Sequence, residues 1–215
     1  MRELLLIHIL ATESQINGRC MMKNKSLEKM VETALLGALI LVFSFTPIGY
    51  IKIGALSVTF VTIPVAVGAV IVGKGAGTIL GLIFGITSFV QCFGIDPFGT
   101  LLAGINPFLT FVLCVGTRAL MGFLVGLIFE LMMKKPNLSP LKTTVANLCA
   151  PLLNSILFLG ALFIMFGNVE YEGALIKVLI TTVMIINVPL EAAVVTVAGT
   201  AICIAMQKIQ KFKEQ

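Results

Sequence analysis

At 215 residues the chain has room for one domain or two small ones. Hydrophobic residues make up 58% of it and charged ones 12%, with a mean hydropathy of +1.08; a soluble domain of this size cannot hide that much apolar surface, so most of the chain must face lipid. The formal net charge of +5 sits in short stretches between apolar runs and in the two tails, with no aromatic-interleaved basic patch. That placement argues against a nucleic-acid partner and for membrane topology.

The first twenty residues, "MRELLLIHILATESQINGRC", carry an apolar stretch, Leu4–Leu10, too short to span a bilayer and followed by no small-residue cleavage site. Arg19 directly before Cys20 argues against a lipoprotein signal, and "MMKNK" reads as a fresh start. Residues 1–21 are therefore expected to be a non-native or disordered extension. The working chain then begins at Met21 or Met22, and residues 22–215 form the membrane domain.

Six apolar segments follow, each near the length of about 20 residues that a spanning helix needs. They run from Met30 to Phe45, Ser57 to Val72, Ala76 to Phe93, Pro107 to Met133, Leu141 to Phe166 and Gly173 to Met206. The breakers between them are "TPIGYIKIG", "GKG", "GIDPFGTLLAGINP", "KKPNLSP" and "GNVEYEG". Lys23, Lys25 and Lys29 precede the first segment, Lys74 lies in the second loop, Lys134, Lys135 and Lys142 flank the fourth, and Lys208, Lys211 and Lys213 close the chain. The alternate loops carry Lys52, then Asp96, then Glu170 and Glu172. The positive-inside rule turns this into an all-α bundle of six transmembrane helices with both termini cytoplasmic.

"GAVIVGKGAG", residues 68–77, has the Gly68, Gly73, Lys74 spacing of a phosphate-binding loop, but Gly75 stands where a Ser or Thr hydroxyl would hold magnesium. It also falls between two membrane helices instead of after a strand, so it reads as a tight turn with Lys74 beside lipid headgroups. The only histidine, His8, lies in the N-terminal extension, no G-x-S-x-G occurs, and no aspartate pair lies in the spans. No enzyme, metal site or cofactor is expected. The five cysteines, Cys20, Cys92, Cys114, Cys149 and Cys203, are too far apart in sequence to suggest a metal knuckle or redox pair and read as small buried hydrophobes.

The spans carry a few polar residues in costly positions: Gln91 near the end of the third, Arg118 in the fourth, Asn147 and Asn154 in the fifth, Asn187 and Glu191 in the sixth. A charge at bilayer depth needs a partner or a cavity, which makes these site candidates. Arg118 and Asn154 fall at comparable depth, and Asn187 and Glu191 lie one turn apart on one face. Two readings stand: a pocket for a small polar solute, or an Arg118–Glu191 ion pair and asparagine bonds gluing helices together. In the first helix, Ala34 and Ala38 lie four apart with Gly37 beside them, leaving a groove for another helix. The loops "FTPIGYIKIG" and "FGIDPFGTLLAGINP" place Phe45, Tyr50 and Phe98 beside glycines, as a lid or as interface anchors.

Taken together, these segments resemble the substrate-binding S components of energy-coupling factor (ECF) vitamin transporters, and the resemblance covers nearly the whole chain from Met22 on. It is carried by "TFVTIPVAVGAVIVGKGAGTILGLIFGITS", by "INPFLTFVLCVGTRALMGFLVGLIFELM" with its Asn106–Pro107, Arg118, Gly122 and Gly126, by "LLNSILFLG" and by "INVPLEAAVV". Thr117 stands where relatives commonly have Pro. The resemblance implies a multi-pass cell-membrane protein of a Gram-positive bacterium that captures a water-soluble vitamin and delivers it by toppling within an ATP-driven importer. The pantothenate-type members look closest, with riboflavin, a pyridoxine-like compound or a thiamine precursor as alternatives and a self-sufficient secondary transporter as a further one. It also implies a transmembrane coupling subunit as partner, met by the Ala34/Ala38 ridge, and two cytoplasmic ABC-type ATPases. The implied pocket comprises Gln91, Asn106, Arg118, Asn154, Asn187 and Glu191.

Overall fold

The computed structural model describes the backbone of residues 26–46, 49–53, 56–133, 140–167, 170–171 and 174–213. The other residues, and the side chains of 50–58, 140, 170–171, 174–187 and 209–213, lie outside the description. The expectations for the 1–21 extension and for the side chains of Tyr50 and Asn187 therefore fall outside the described residues.

The chain is a helical bundle with two short hairpins. Helix α1 covers 26–45, and the hairpin β1 (Tyr50–Ile53) and β2 (Leu56–Thr59) pairs Tyr50 with Thr59 and Ile53 with Leu56. Helices α2 (Thr62–Ile71), α3 (Lys74–Gln91) and α4 (Pro97–Ile105) follow. The run Pro107–Met133 is made of α5 (Pro107–Phe111), a π-helical segment (Val112–Gly116) and α6 (Thr117–Met133). Helix α7 (Pro140–Phe166), a hairpin of β3 (Glu170–Tyr171) and β4 (Ala174–Leu175), and α8 (Ile176–Lys213) complete it.

Pro107–Met133, Leu141–Phe166 and Val188–Lys208 are each long and apolar enough to cross a bilayer. The second apolar segment departs from expectation. Ser57–Val72 is not one span: Leu56–Thr59 pairs as a strand, and only ten residues, Thr62–Ile71, are helical. Nine of those ten are buried, and the helix touches α3, α6, α7 and α8. "TIPVAVGAVI" is apolar all round, which suits a helix enclosed on every side and not a surface one with a single stripe. Pro64 does not break it, because its missing N–H falls in the first turn, where no intrahelical acceptor exists.

"GIDPFGTLLAGINP" also differs from the expected loop, since it contains α4. Asp96 Oδ2 accepts a hydrogen bond from Gly99 N at 3.0 Å, and Pro97 occupies the first turn. Asn106 and Pro107 repeat the device at α5, with Leu109 N donating to Asn106 Oδ1 at 3.1 Å. Short polar caps followed by Pro start helices because the cap satisfies an orphan N–H and Pro has none to satisfy.

The tightest packing is between α3 and α6. Gly77, Gly81 and Gly85, four apart on α3, face the run that ends in α6. A Cβ at Gly77 would lie 2.5 Å from Gly122 O, one at Gly81 would strike Arg118 O, and one at Gly85 would lie 2.6 Å from Val115 Cα. Gly126 likewise lies against Lys74, and Lys74 Nζ reaches Glu130 Oε2 at 3.0 Å. Gly73, with φ +120°, makes the turn between α2 and α3.

Val put in place of Gly122 would drive its Cβ into Gly77 O and is expected to cost about 1–3 kcal/mol or more. Gly75→Ala, where nothing lies within 4 Å of the added carbon, is expected to stay within about 1 kcal/mol of the parent. Thermal unfolding of both variants in detergent checks the contrast.

Candidate functional site

Arg118 opens α6 just past the π-helical segment. A change from i−5 to i−4 bonding leaves a main-chain carbonyl short of its usual donor, and such segments recur at functional sites. Arg118 Nη1 donates to Cys114 O at 3.2 Å, and Thr117 Oγ1 donates to Leu113 O at 2.5 Å. The helix is thus distorted beside Arg118 without a proline at Thr117.

The guanidinium lies between two rings, its Cζ 4.6 Å from the Phe84 centroid and 4.8 Å from that of Phe158. Phe84 is on α3 and fully buried, and Phe158 is on α7. A desolvated cation over a phenyl face gains up to about 2 kcal/mol, which holds the charge in place but does not neutralise it. Arg118 is 8% exposed, and its Nε is buried without a hydrogen-bond partner among the described residues.

Asn154 lies on α7 one turn below Phe158, and its Oδ1 is also buried without a partner among the described residues. Pro151, inside α7, removes one main-chain donor in the same stretch, and Pro189 does so in α8 between Asn187 and Glu191. Glu191 is buried and does not form an ion pair with Arg118 among the described residues. The Arg118–Glu191 bridge, one of the two readings of these residues, is therefore not formed between the two side chains. Glu191 Oε1 instead accepts from Thr62 Oγ1 at 3.1 Å, the Thr62 proton being shared with Thr59 O at 2.7 Å. Thr62 is the first residue of α2, so the carboxylate meets the positive end of that helix.

The remaining candidates have other partners. Gln91 is buried, and its Nε2 donates to Ser44 O at 2.6 Å, while Ser44 Oγ and Thr87 Oγ1 share a bond of 3.0 Å. This polar clasp joins the end of α1 to the end of α3. The Asn106 side chain is used as the α5 cap. Asn147 ties α7 to α8: its Nδ2 donates to Thr143 O at 2.9 Å and to Cys203 Sγ at 3.6 Å, and Gly199 makes the room. Asn187 belongs to α8 one turn before Glu191. Ala34 and Ala38 are exposed, on the side of α1 opposite buried Leu36 and Ile40. Sequence reasoning missed Phe84, Phe158 and Thr62. Only the four-residue spacing of Gly77, Gly81 and Gly85 hinted that α3 would bring Phe84 against α6.

Apolar helices of spanning length around buried polar groups define a membrane-integral helical protein. A family model described as "ECF transporter, substrate-specific component" matches residues 28–209. The chain belongs to that family. It is a vitamin-binding transporter subunit and not itself an enzyme, and the family works with a transmembrane coupling subunit and ATPase subunits. No curated protein matches the chain by sequence.

Loss of the Asn106 cap in Asn106→Ala is expected to cost about 1 kcal/mol. Gln91→Leu, which leaves Ser44 O unpaired, is expected to cost about 1–3 kcal/mol. Chemical denaturation in mixed micelles measures both.

Proposed function

We propose that this subunit binds a water-soluble vitamin of the pantothenate type, with Arg118 holding its carboxylate. The observation that carries the reading is the buried guanidinium, gripped by Phe84 and Phe158 with no carboxylate oxygen within 4 Å of it among the described residues. A fixed planar cation of this kind suits an anionic group, which it can engage through parallel N–H donors. Asn154 Oδ1 is an acceptor for a ligand hydroxyl or amide N–H. Glu191, held by Thr62, and Asn187, one turn away on α8, complete the polar wall in this reading. Gln91 and Asn106 serve it from further off, by fixing the ends of α3 and α5. Riboflavin, a pyridoxine-like compound and a thiamine precursor remain the alternative ligands, and mass spectrometry of the molecule that co-purifies with the protein separates them.

In this reading the ten-residue α2, too short to span by itself, still returns the chain to the inner side at Gly73, which gives six passes with both termini in the cytoplasm, in accord with the alternation of the lysines. The exposed Ala34/Ala38 face then meets the coupling subunit, which two cytoplasmic ATPases drive. In this orientation the β1–β2 hairpin and α4 lie near the outer mouth. Either can cover the ligand, β2 by its contact with α8 and α4 by the turn at Gly94, with φ +108°.

Arg118→Lys keeps the charge but loses the planar fork, and a direct contact predicts affinity weakened by about 10- to 100-fold. Thermal stability is measured on the same Arg118→Lys and Glu191→Gln samples, because a structural role lowers stability first. Lost stability with intact affinity in the folded fraction overturns the assignment. The double variant Ala34→Leu, Ala38→Leu is expected to abolish uptake by the assembled transporter while isolated-subunit affinity changes less than about twofold, since bulk on this face blocks only helix approach. Equal losses in the two assays would refute the separation of coupling face and pocket.

A further inference from the structure

We propose that Cys92 and Cys114 form a thiol pair that closes reversibly into a disulfide, locking the end of α3 to the π-helical segment ahead of Arg118. Twenty-two positions apart in sequence, their Sγ atoms lie 3.9 Å apart. Both residues are 4% exposed, and both are free thiols. The two other described cysteines have no such neighbour: Cys149 is half-buried, and Cys203 meets Asn147 Nδ2.

The backbone holds the pair close. With no side chain at Gly85, the segment approaches so tightly that a Cβ there would lie 2.9 Å from Cys114 O. Gly99 of α4 clears room from the other side, since its Cβ would lie 2.6 Å from Cys92 Sγ. Cys92 also donates to Ser88 O at 3.3 Å, so its thiol is confined without being covalently tied. A disulfide needs the sulfurs at about 2.05 Å, so bond formation draws the two Sγ atoms together from 3.9 Å. Access runs through the turn that follows α3, where Phe93 and Ile95 are exposed.

The oxidant is a low-molecular-weight disulfide. One of the two protein thiolates attacks a sulfur of the oxidant, and the oxidant's S–S bond breaks to release one small thiolate. The other cysteine's thiolate then attacks the protein sulfur of the mixed disulfide, forms the Cys92–Cys114 S–S bond and expels the second small thiolate. The protein gives up two electrons and two protons, and both end on the two small thiols released. Because Cys114 O receives the Arg118 Nη1 bond, the cross-link also restrains the segment that orients the guanidinium. That consequence rests on the reading of Arg118 as the ligand group; the cross-link itself does not.

The test uses the full chain in lipid nanodiscs incubated with oxidised glutathione, followed by alkylation under unfolding conditions, digestion and mass spectrometry. The expected result is a peptide pair joined through Cys92 and Cys114, lost on adding dithiothreitol and absent from Cys92→Ser and from Cys114→Ser. A higher midpoint of thermal unfolding is expected for the oxidised protein and not for either variant. Full alkylation of both thiols after incubation, or a stable glutathione adduct on one cysteine with the other still free, would overturn the proposal. Neither readout requires a ligand, so failure here is distinguishable from failure of the Arg118 assignment.

Discussion

The structure depends on the close approach of α3 to the run from Pro107 to Met133. Three glycines on one helix and two on the other remove the side chains that would hold the backbones apart. In lipid there is little hydrophobic drive for helices to associate, so contact of this kind, in which main chains meet directly, carries more of the association energy. Its consequences are specific. Phe84 comes under Arg118, the Arg118 carbonyl comes against Gly81, and Cys92 comes within reach of Cys114.

A second constraint governs the polar groups. With little water to turn to, each buried donor or acceptor needs a protein partner. Most have one: Gln91 has Ser44 O, Glu191 has Thr62, and the Asn147 amide has Thr143 O and Cys203. Those bonds bind α1 to α3, α2 to α8 and α7 to α8. Four buried atoms lack a partner among the described residues: Arg118 Nε, Asn147 Oδ1, Asn154 Oδ1 and Thr200 Oγ1. Arg118 and Asn154 lie on neighbouring helices, linked through the Phe158 ring, and Pro151 interrupts the hydrogen-bond ladder nearby. Some polar groups thus join helices and others keep bonding capacity to spare, and Asn147 does both.

The bounds of two long helical runs were legible in the sequence, while α8 extends to Lys213, past the expected end at Met206. Pro107–Met133 was read to the residue and the fifth segment to within one, since an uninterrupted apolar run and its flanking breakers are local features. The caps at Asp96 and Asn106 had an equally local signature, Asx followed by Pro, yet α4 went unread because its glycines made the segment look like a loop. Hydropathy alone also joined β2 to α2. An apolar stretch of β-branched residues serves a strand or a helix equally well, and only pairing with Tyr50–Ile53 decided between them.

The sequence by itself determined that the chain lives in a membrane, where the runs Pro107–Met133 and 141–166 begin and end, and that Arg118, Asn154 and Glu191 would be costly to bury. Those are properties of composition and of short windows. Tertiary structure alone decided that α2 is enclosed on all sides, that Glu191 turns to Thr62 and not to Arg118, that two phenyl rings hold the guanidinium, and that Cys92 faces Cys114. Each of these depends on which helix face meets which. That choice is made by the fit of small and large side chains between segments far apart in the chain, and no local pattern encodes it.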